Sequence, residues 1–407
     1  MKTILWIYSK PLKPEAGGTE RITSLVQQGI SREGYRCMDI LVLDTINNRN
    51  VYHDEEVKDI YGFLKGNNVD VVINQWGQLP AFLQYFLDNG GKQWHDEGGR
   101  VISCLHFHPA PPTLYHNFAV KWHKTWHDYY VMLKARLFSE YYAKQDQQRV
   151  GEAYRWVYDH SDAFVMLSES FRKYIVEAMG VEDDSKLVAI NNPLTFEEAA
   201  DESILNRKEN VILVVSRMYE WHKRISISLK VWKKLSAKAS MQDWRMVIVG
   251  TGEDLPMYQQ YVEQHNIKRV SFEGQQSPEP YYDKAKIFLM TSEREGWGLT
   301  ITEAMQRGVV PIALDTSSAF HDIITDGENG FLVKEGQIRQ FCKRIEQLAT
   351  DSQQWQTMAK RALVSAQRFS LDKITEDWKK IIDPLGSATW LAKTDSLREE
   401  GAIPKIL

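Results

Sequence analysis

The sequence predicts an α/β protein of two Rossmann-like, doubly wound domains facing a central cleft, and three observations carry that expectation. Short apolar runs of strand length alternate with helical patterns. The alternation halts at a polar segment, residues 196–210 (FEEAADESILNRKEN), and then restarts. At 407 residues the chain is also too long for a single hydrophobic core.

In the first half, residues 3–8 read as a strand, followed by a loop holding Pro11, Pro14, Gly17 and Gly18. Thr19 caps a helix to about Glu33, and residues 36–43 give the next strand. Residues 71–74, 100–105 and 163–167 are further strands, the last leading into a helix (SESFRKYIVEAMG) that Gly180 stops. In the second half, residues 211–215, 245–249, 270–272, 287–290 and 309–313 repeat the theme. Strands apolar throughout indicate a parallel sheet covered on both faces. SDAFVMLSES (161–170) echoes KAKIFLMTSE (284–293), in keeping with two related halves. From Gln337 the pattern is mostly helical, with Trp355, Phe369 and Trp378 as buried anchors, whereas residues 385–407 have weak periodicity. The expected domains are 1–195 and 196–378, with 379–407 a tail placed to pack back on the first.

Composition excludes several classes. A net charge of −4 gives no basis for nucleic-acid binding. Cys37, Cys104 and Cys342 are far apart and form no CxxC pair, which argues against disulfides or structural zinc and fits a reducing compartment. The apolar stretch near the start spans only about five residues, too few for a signal-peptide core. No window approaches the ~18 apolar residues that cross a bilayer. A soluble, cytoplasmic protein is expected.

The most informative stretch is AKIFLMTSEREGWGLTITEAMQRGVVPIALD, residues 285–315. It reads as strand, charged Gly-rich loop, helix opening near Thr300, strand, with Glu295 and Glu303 spaced E-x7-E. The free N–H groups and positive dipole at such a helix start suit an anion such as a diphosphate. A carboxylate beside an anion needs a different partner, and a sugar hydroxyl supplies one. Basic groups just past another strand, Arg217 and Lys223 in VILVVSRMYEWHKR, add a planar fork and a point charge for phosphate oxygens. A solvated turn would explain those two alone; beside Glu295 and Glu303 the ligand-binding reading prevails.

With these landmarks in place, the chain resembles the GT-B glycosyltransferases of family 4, retaining enzymes that use nucleotide-sugar donors. The resemblance rests on Gly17-Gly18, Arg217, Lys223, the GTG turn at 250–252, FEG at 272–274 and above all SEREGWGLTITEAMQRGVVPIA at 292–313. It runs over roughly residues 1–380. It implies an acceptor-side first domain and a donor-side second domain. Glu295 would bond donor-sugar hydroxyls and steady the charge growing on the anomeric carbon. Gly296, Trp297, Gly298 and Leu299 would offer backbone N–H groups to the sugar and diphosphate, and Glu303 would bond the ribose. Arg217 and Lys223 would hold the diphosphate in place of a metal, so neither metal nor cofactor is expected. The backbone at Gly274–Gln276 would read the base. His106 or His108, in HFHP after the strand at 100–105, would face the sugar, with His108 the preferred candidate. Three departures from the family pattern stand out: Ser216 where Gly commonly precedes the Arg, Trp297 for the usual Phe, and INNP at 190–193 for a Pro-Asn-Gly turn.

The implied partners are a nucleotide-sugar donor and a glycan or lipid-linked acceptor. Residues 121–154, rich in Trp, Tyr, Lys, Arg and His, would permit peripheral membrane contact. Asp128, Glu140 and Asp146 offset those bases, which favours an ordinary amphipathic helix pair packed on the sheet. Three other functions compete. An NAD-dependent oxidoreductase would suit the fold and Asp44, but KPEAGGTER is not G-x-G-x-x-G. A glycoside hydrolase or phosphorylase would use Glu295 and Glu303 as acid and nucleophile, yet the neighbouring cations suit a diphosphate better. A non-catalytic nucleotide-sugar-binding partner would not require the full set of motifs.

Overall fold

The computed structural model describes residues 1–14, 17–43, 49–111, 125–197 and 200–384. Asp44, the first four residues of 121–154 and all of 385–407 lie outside that set. The chain divides into two units: Met1–Pro111 with Ala143–Pro193 and Leu371–Leu407, and Pro112–Tyr142 with Leu194–Ser370.

The first unit is built on β1 (Thr3–Tyr8), β2 (Arg36–Leu41), β3 (Val51–Tyr52), β4 (Glu55–Glu56), β5 (Val69–Asn74), β6 (Arg100–Leu105), β7 (Ala163–Met166) and β8 (Leu187–Ala189). Among the described residues these form one sheet in the order β4-β3-β2-β1-β5-β6-β7-β8. All neighbours are parallel except the β2–β3 and β3–β4 pairs. Trp6, Phe86, Phe164 and Phe171 are fully buried, and the Trp94 indole N–H donates to Val69 O at 3.0 Å. The helix after β1 is Gly18–Arg32, and Gly180 closes the helix Arg172–Met179 in the left-handed conformation at φ 62°.

The second unit holds β9 (Glu209–Val215), β10 (Arg245–Val249), β11 (Val270–Gly274), β12 (Ala285–Met290), β13 (Val310–Leu314) and β14 (Phe331–Val333). Among the described residues they form an all-parallel sheet ordered β11-β10-β9-β12-β13-β14. In chain order within the unit this is 3-2-1-4-5-6, the doubly wound dinucleotide-binding arrangement. Its core gathers Trp232, Tyr258 and Phe341 from helices with Ile212, Ile248, Leu289 and Ile312 from strands.

Four differences from the sequence expectations have physical causes. The second unit ends at Ser370, not 378, because helix Leu371–Ile382 belongs to the first unit. There Lys2 and Arg100 donate to the carbonyls of Ile382 and Ile381 at 3.1 and 2.7 Å. Strands of two or three residues (β3, β4, β8, β14) are too short to show a period. The echo between 161–170 and 284–293 joins β7 to β12, which occupy non-equivalent sheet positions, so it reflects shared strand-to-loop chemistry. Of the two helices in 121–154, Ser139–Asp159 packs Ala153, Tyr154, Val157 and Tyr158 inward, with Tyr154 against Phe164 of β7, but the first leaves its apolar stripe exposed. In Trp126–Leu137 the buried positions are Asp128 and Ala135, while Trp126 is 90% exposed. Tyr129, Tyr130, Leu133, Leu137 and Tyr141 continue that exposed stripe. Asp128 is spent locally: it accepts from Thr125 N and Oγ1 and closes a capping box at the helix start. Among the described residues no helix is long and apolar enough to cross a membrane.

The packing of helix Leu371–Ile382 yields a prediction. A Cβ on Gly29 would lie 2.2 Å from Thr375 Oγ1 and 3.2 Å from a Leu371 methyl. Gly29→Val should therefore destabilise the protein by about 1–3 kcal/mol. Gly66→Ala, at a helical glycine facing open space, should instead raise the denaturant midpoint, by about 0.4–1 kcal/mol of stability.

Candidate active site

In the second sheet the winding direction reverses between β9 and β12, and ligands of such sheets sit beyond the strand ends at that point. β9 delivers Ser216 and Arg217 there; β12 delivers Thr291 to Gly298 ahead of helix Leu299–Gln306. The turn after β10 closes against the β9 loop because Gly250 lacks a side chain. Its φ is 129°, and a Cβ would sit 2.0 Å from Ser216 O. Ser216 N–H donates to Val249 O at 3.0 Å and Met218 N–H to Thr251 O at 2.8 Å. Gly274, at the end of β11, accepts from Gly250 N–H at 2.7 Å, and Gln276 beyond it is exposed.

Arg217 is exposed on the β9 loop. Lys223 ends a short helix, Glu220–Lys223, that a buried carboxylate pins in place. Glu220 accepts from Ser226 Oγ at 2.5 Å, Ser226 N–H at 3.2 Å and Tyr258 OH at 2.9 Å. Burial pushes the Glu220 carboxyl pKa upward, against these hydrogen bonds. Lys223 Nζ donates to Glu295 Oε1 at 2.5 Å, with side chains 22% and 16% exposed. At that burial the attraction is on the order of a few kcal/mol, much of it offset by desolvation. Ser317 Oγ supports the same loop by donating to Glu295 O at 2.9 Å.

Gly298 caps helix Leu299–Gln306 at φ 105°, a conformation that a side chain would strain. Its neighbour Trp297 is buried edge-on against Phe369 at 5.1 Å. The Trp297 indole N–H is buried without a hydrogen-bond partner among the described residues. Gly296 and Leu299 flank the turn at partial exposure, their N–H groups near the positive helix end. Glu303 lies on the inward face of the helix, 2% exposed. Its Oε1 accepts from Thr195 Oγ1 at 2.9 Å and its Oε2 from Tyr282 OH at 3.1 Å.

Arg224 was not foreseen. It follows Lys223 with φ 47° and ψ 42°, a left-handed conformation that costs an L-residue roughly 1–2 kcal/mol. Its side chain is buried; Nε donates to Thr291 O at 3.1 Å, Nη2 to Ser292 O at 3.0 Å, and Nη1 pairs with Glu335. In the sequence Arg224 reads as one more base in a polar turn, so no local signal marks it. Thr195 and Tyr282 are equally silent, because only tertiary contact brings them to Glu303.

The first unit has its own switch point, between β1 and β5. Gly17 is the extended N-cap of helix Gly18–Arg32, and Gly18 opens it. Gln75, just past β5, accepts from Thr23 Oγ1 at 2.8 Å and lies 2.8 Å from His106 Nε2. Burial lowers the His106 pKa to about 4, so at neutral pH the ring is neutral and its Nε2–H donates to Gln75. His106 also lines a small internal cavity with Trp6, Thr23, Gln75, Cys104 and Trp378. That cavity leaves ≈ 20 Å³ for water centres, about one molecule. His108 Nδ1 accepts from Ala110 N–H at 3.1 Å, its ring edge-on to Phe171 at 5.3 Å. The two histidines are thus distinguished: His106 is engaged inside the first unit, and His108 lies further out in the loop. Gly17, Gly18, His106 and His108 belong to the first unit, and the remaining sequence-derived site residues belong to the second.

Residues 195–363 match the family model described as glycosyl transferases group 1. An uncharacterized glycosyltransferase of Haemophilus influenzae is 27% identical over 201 residues, 49% of this chain and 55% of that protein. The Campylobacter jejuni GalNAc-alpha-(1->4)-GalNAc-alpha-(1->3)-diNAcBac-PP-undecaprenol alpha-1,4-N-acetyl-D-galactosaminyltransferase is 24% identical over 232 residues, 57% of this chain and 62% of that protein. The matched part thus spans less than two thirds of either relative. Anabaena HepE, solved with UDP-glucose, superposes with a TM-score of 0.64 at 17% identity, covering 94% of this chain and 99% of that one. The two parallel-sheet units are those of the GT-B glycosyltransferase fold.

His106 generates a pH prediction. Its folded pKa lies below the ordinary value of 6.5, so the unfolded chain takes up a proton first as pH falls. The stability it contributes is full above pH 6.5 and is lost progressively down to about pH 4. His106→Gln should flatten the pH dependence of Tm across that window relative to wild type. An unchanged slope would mean that His106 is solvated.

Proposed function

We propose that this chain, whose residues 195–363 belong to the group 1 glycosyl transferases, is a retaining glycosyltransferase. It moves a sugar from a UDP- or GDP-sugar to a glycan or lipid-linked acceptor in surface polysaccharide or glycoconjugate synthesis. One observation carries the reading: a lysine and a glutamate paired at 2.5 Å at the switch point, beside a glycine-capped helix start. An anion–polyol ligand satisfies both groups at once. Its diphosphate takes Lys223 and Arg217, and a sugar hydroxyl takes Glu295.

In this mechanism Lys223, Arg217 and the N–H groups from Gly296 to Leu299 stabilise the diphosphate as it leaves. Glu295 orients the sugar and offsets positive charge at the anomeric carbon. The departing phosphate accepts the acceptor's proton on the same face, which retains configuration and needs no separate base. Glu303, oriented by Thr195 and Tyr282, takes the ribose hydroxyls. Gly274 to Gln276 read the base; Gly17, Gly18 and His108, the last in preference to His106, are further donor-binding candidates. Two cations do the work that a divalent metal would otherwise do, so transfer is metal-independent.

The lipid-linked acceptor has support of its own. The exposed stripe from Trp126 to Tyr141 mixes aliphatic side chains with rings that carry polar tips, and Lys134, Arg136 and Lys144 are exposed beside it. Such a surface suits the headgroup layer of a membrane, which makes the protein peripheral on a cytoplasmic face.

Calorimetry with UDP, GDP, ADP and their sugars tests the donor site. One nucleoside diphosphate should bind, unaffected by EDTA; UDP is tried first. Glu295→Ala should lower transfer by roughly 10²–10³-fold with little loss of nucleotide affinity. Glu303→Ala should chiefly weaken nucleotide binding, by about 10-fold. Equal loss of binding in both would refute that division of labour. For the membrane surface, Trp126→Ser with Tyr130→Ser should abolish flotation with anionic vesicles and leave nucleotide binding intact.

A further inference from the structure

We infer that Arg224 is a positioning residue that holds Lys223 and Glu295 in register, and this rests on the donor-site reading above. Arg224 bridges three loops at the ends of different strands. Its backbone belongs to the loop after β9, two of its nitrogens reach carbonyls after β12, and its third reaches Glu335 after β14. The bonds to Thr291 O and Ser292 O fix the root of the loop that carries Glu295.

The β12 loop returns the contact. Thr291 Oγ1 lies 3.1 Å from both Lys223 O and Arg224 O, close enough to share its proton between them. Ser228 Oγ stands 3.1 Å from the same hydroxyl, and Glu293 N–H donates to His222 O at 2.7 Å. The backbone on either side of Lys223 is therefore tied to the backbone leading into Glu295. The left-handed φ of Arg224 makes this possible. It turns the chain between helices Glu220–Lys223 and Ile225–Leu235, so that Arg224 reaches the β12 loop while Lys223 meets Glu295.

The chemistry requires arginine. Two successive carbonyls and a carboxylate are met by one rigid fork, a geometry that a single ammonium does not span. Arg224 is 4% exposed and stands outside the proposed ligand contacts, so its effect on the reaction passes through Lys223 and Glu295.

The test has one arm that needs no ligand and one that does. In Arg224→Ala and Arg224→Lys, hydrogen exchange at residues 220–224 and 291–298 should accelerate, with strands β10 and β13 unchanged. Unchanged exchange in both loops would overturn the inference. Calorimetry then compares UDP with UDP-glucose, and GDP with GDP-mannose, using whichever pair the wild type binds. Both variants should weaken nucleotide affinity by up to about 10-fold through Lys223 and lose the sugar's added affinity through Glu295, and transfer should fall 10-fold or more, mainly in kcat. A lower Tm with the sugar's added affinity kept would mean a purely structural role and would also overturn the inference. Should Arg224→Ala not fold, Glu335→Gln removes one anchor and leaves the arginine in place. It should show the same pattern at smaller amplitude, and wild-type behaviour would count against the inference. If wild type binds no nucleotide sugar, the donor-site reading fails and the exchange arm still decides whether Arg224 locks the loops.

Discussion

The pairing of β9 with β12 is the constraint on which the second unit depends. Ile212 registers with Ile287 and Leu213 with Phe288, although more than seventy residues of chain separate each pair. A right-handed crossover leads from each strand to the next, so the helices after β9 and β12 leave on opposite faces. The crevice between them receives both loops. Lys223 meets Glu295, and Arg217 leaves the same end of β9, because two strand ends are neighbours. Their distance in sequence is immaterial.

Such a crevice must hold opposite charges apart from bulk water without collapsing onto them. The protein manages this by satisfying the backbone first. Glu220, Asp254, Arg224 and Thr291 consume the polar groups of the two loops, and their bonds are largely buried. Lys223 and Glu295 then remain as a pair that meets at the tips of rigid elements. A charge pair with moderate exposure exchanges partners more readily than a sealed one, because water and ligand reach it before it breaks. Glu303 shows the other regime, with both oxygens occupied by Thr195 and Tyr282 on a buried helix face.

The first unit solves a related problem with neutral groups. At its switch point, Thr23, Gln75 and His106 form a chain of hydrogen bonds around a cavity the size of one water. Burial keeps His106 uncharged, which removes the cost of an isolated cation beside Cys104 and Trp6. Helix Leu371–Ile382 completes this unit from the far end of the chain, and Trp378 lines the same cavity. The crossing of the chain from Ser370 to Leu371 therefore reflects burial of an apolar helix face and not a change in composition.

Much was legible in the sequence because it is written in local chemistry. Continuous apolar runs marked most of the parallel strands. Glycines marked the helix stop at 180 and the turns at 250 and 298, and the E-x7-E spacing marked the loop and helix that follow β12. These signals are local because backbone sterics and helix ends act within a few residues. The short strands β3, β4, β8 and β14 left no trace, since two or three residues cannot display a period. The domain boundary at 370 was missed because a helical pattern does not name the surface it covers. The aromatics at 126–141 fitted either a membrane-contact surface or helices packed on the sheet, and only the fold shows that the stripe of Trp126–Leu137 is exposed. The roles of Arg224, Thr195, Tyr282 and Glu335 belong to tertiary structure alone. Each acts through a partner about twenty residues away or more, and which distant group a buried polar side chain meets is decided by strand order.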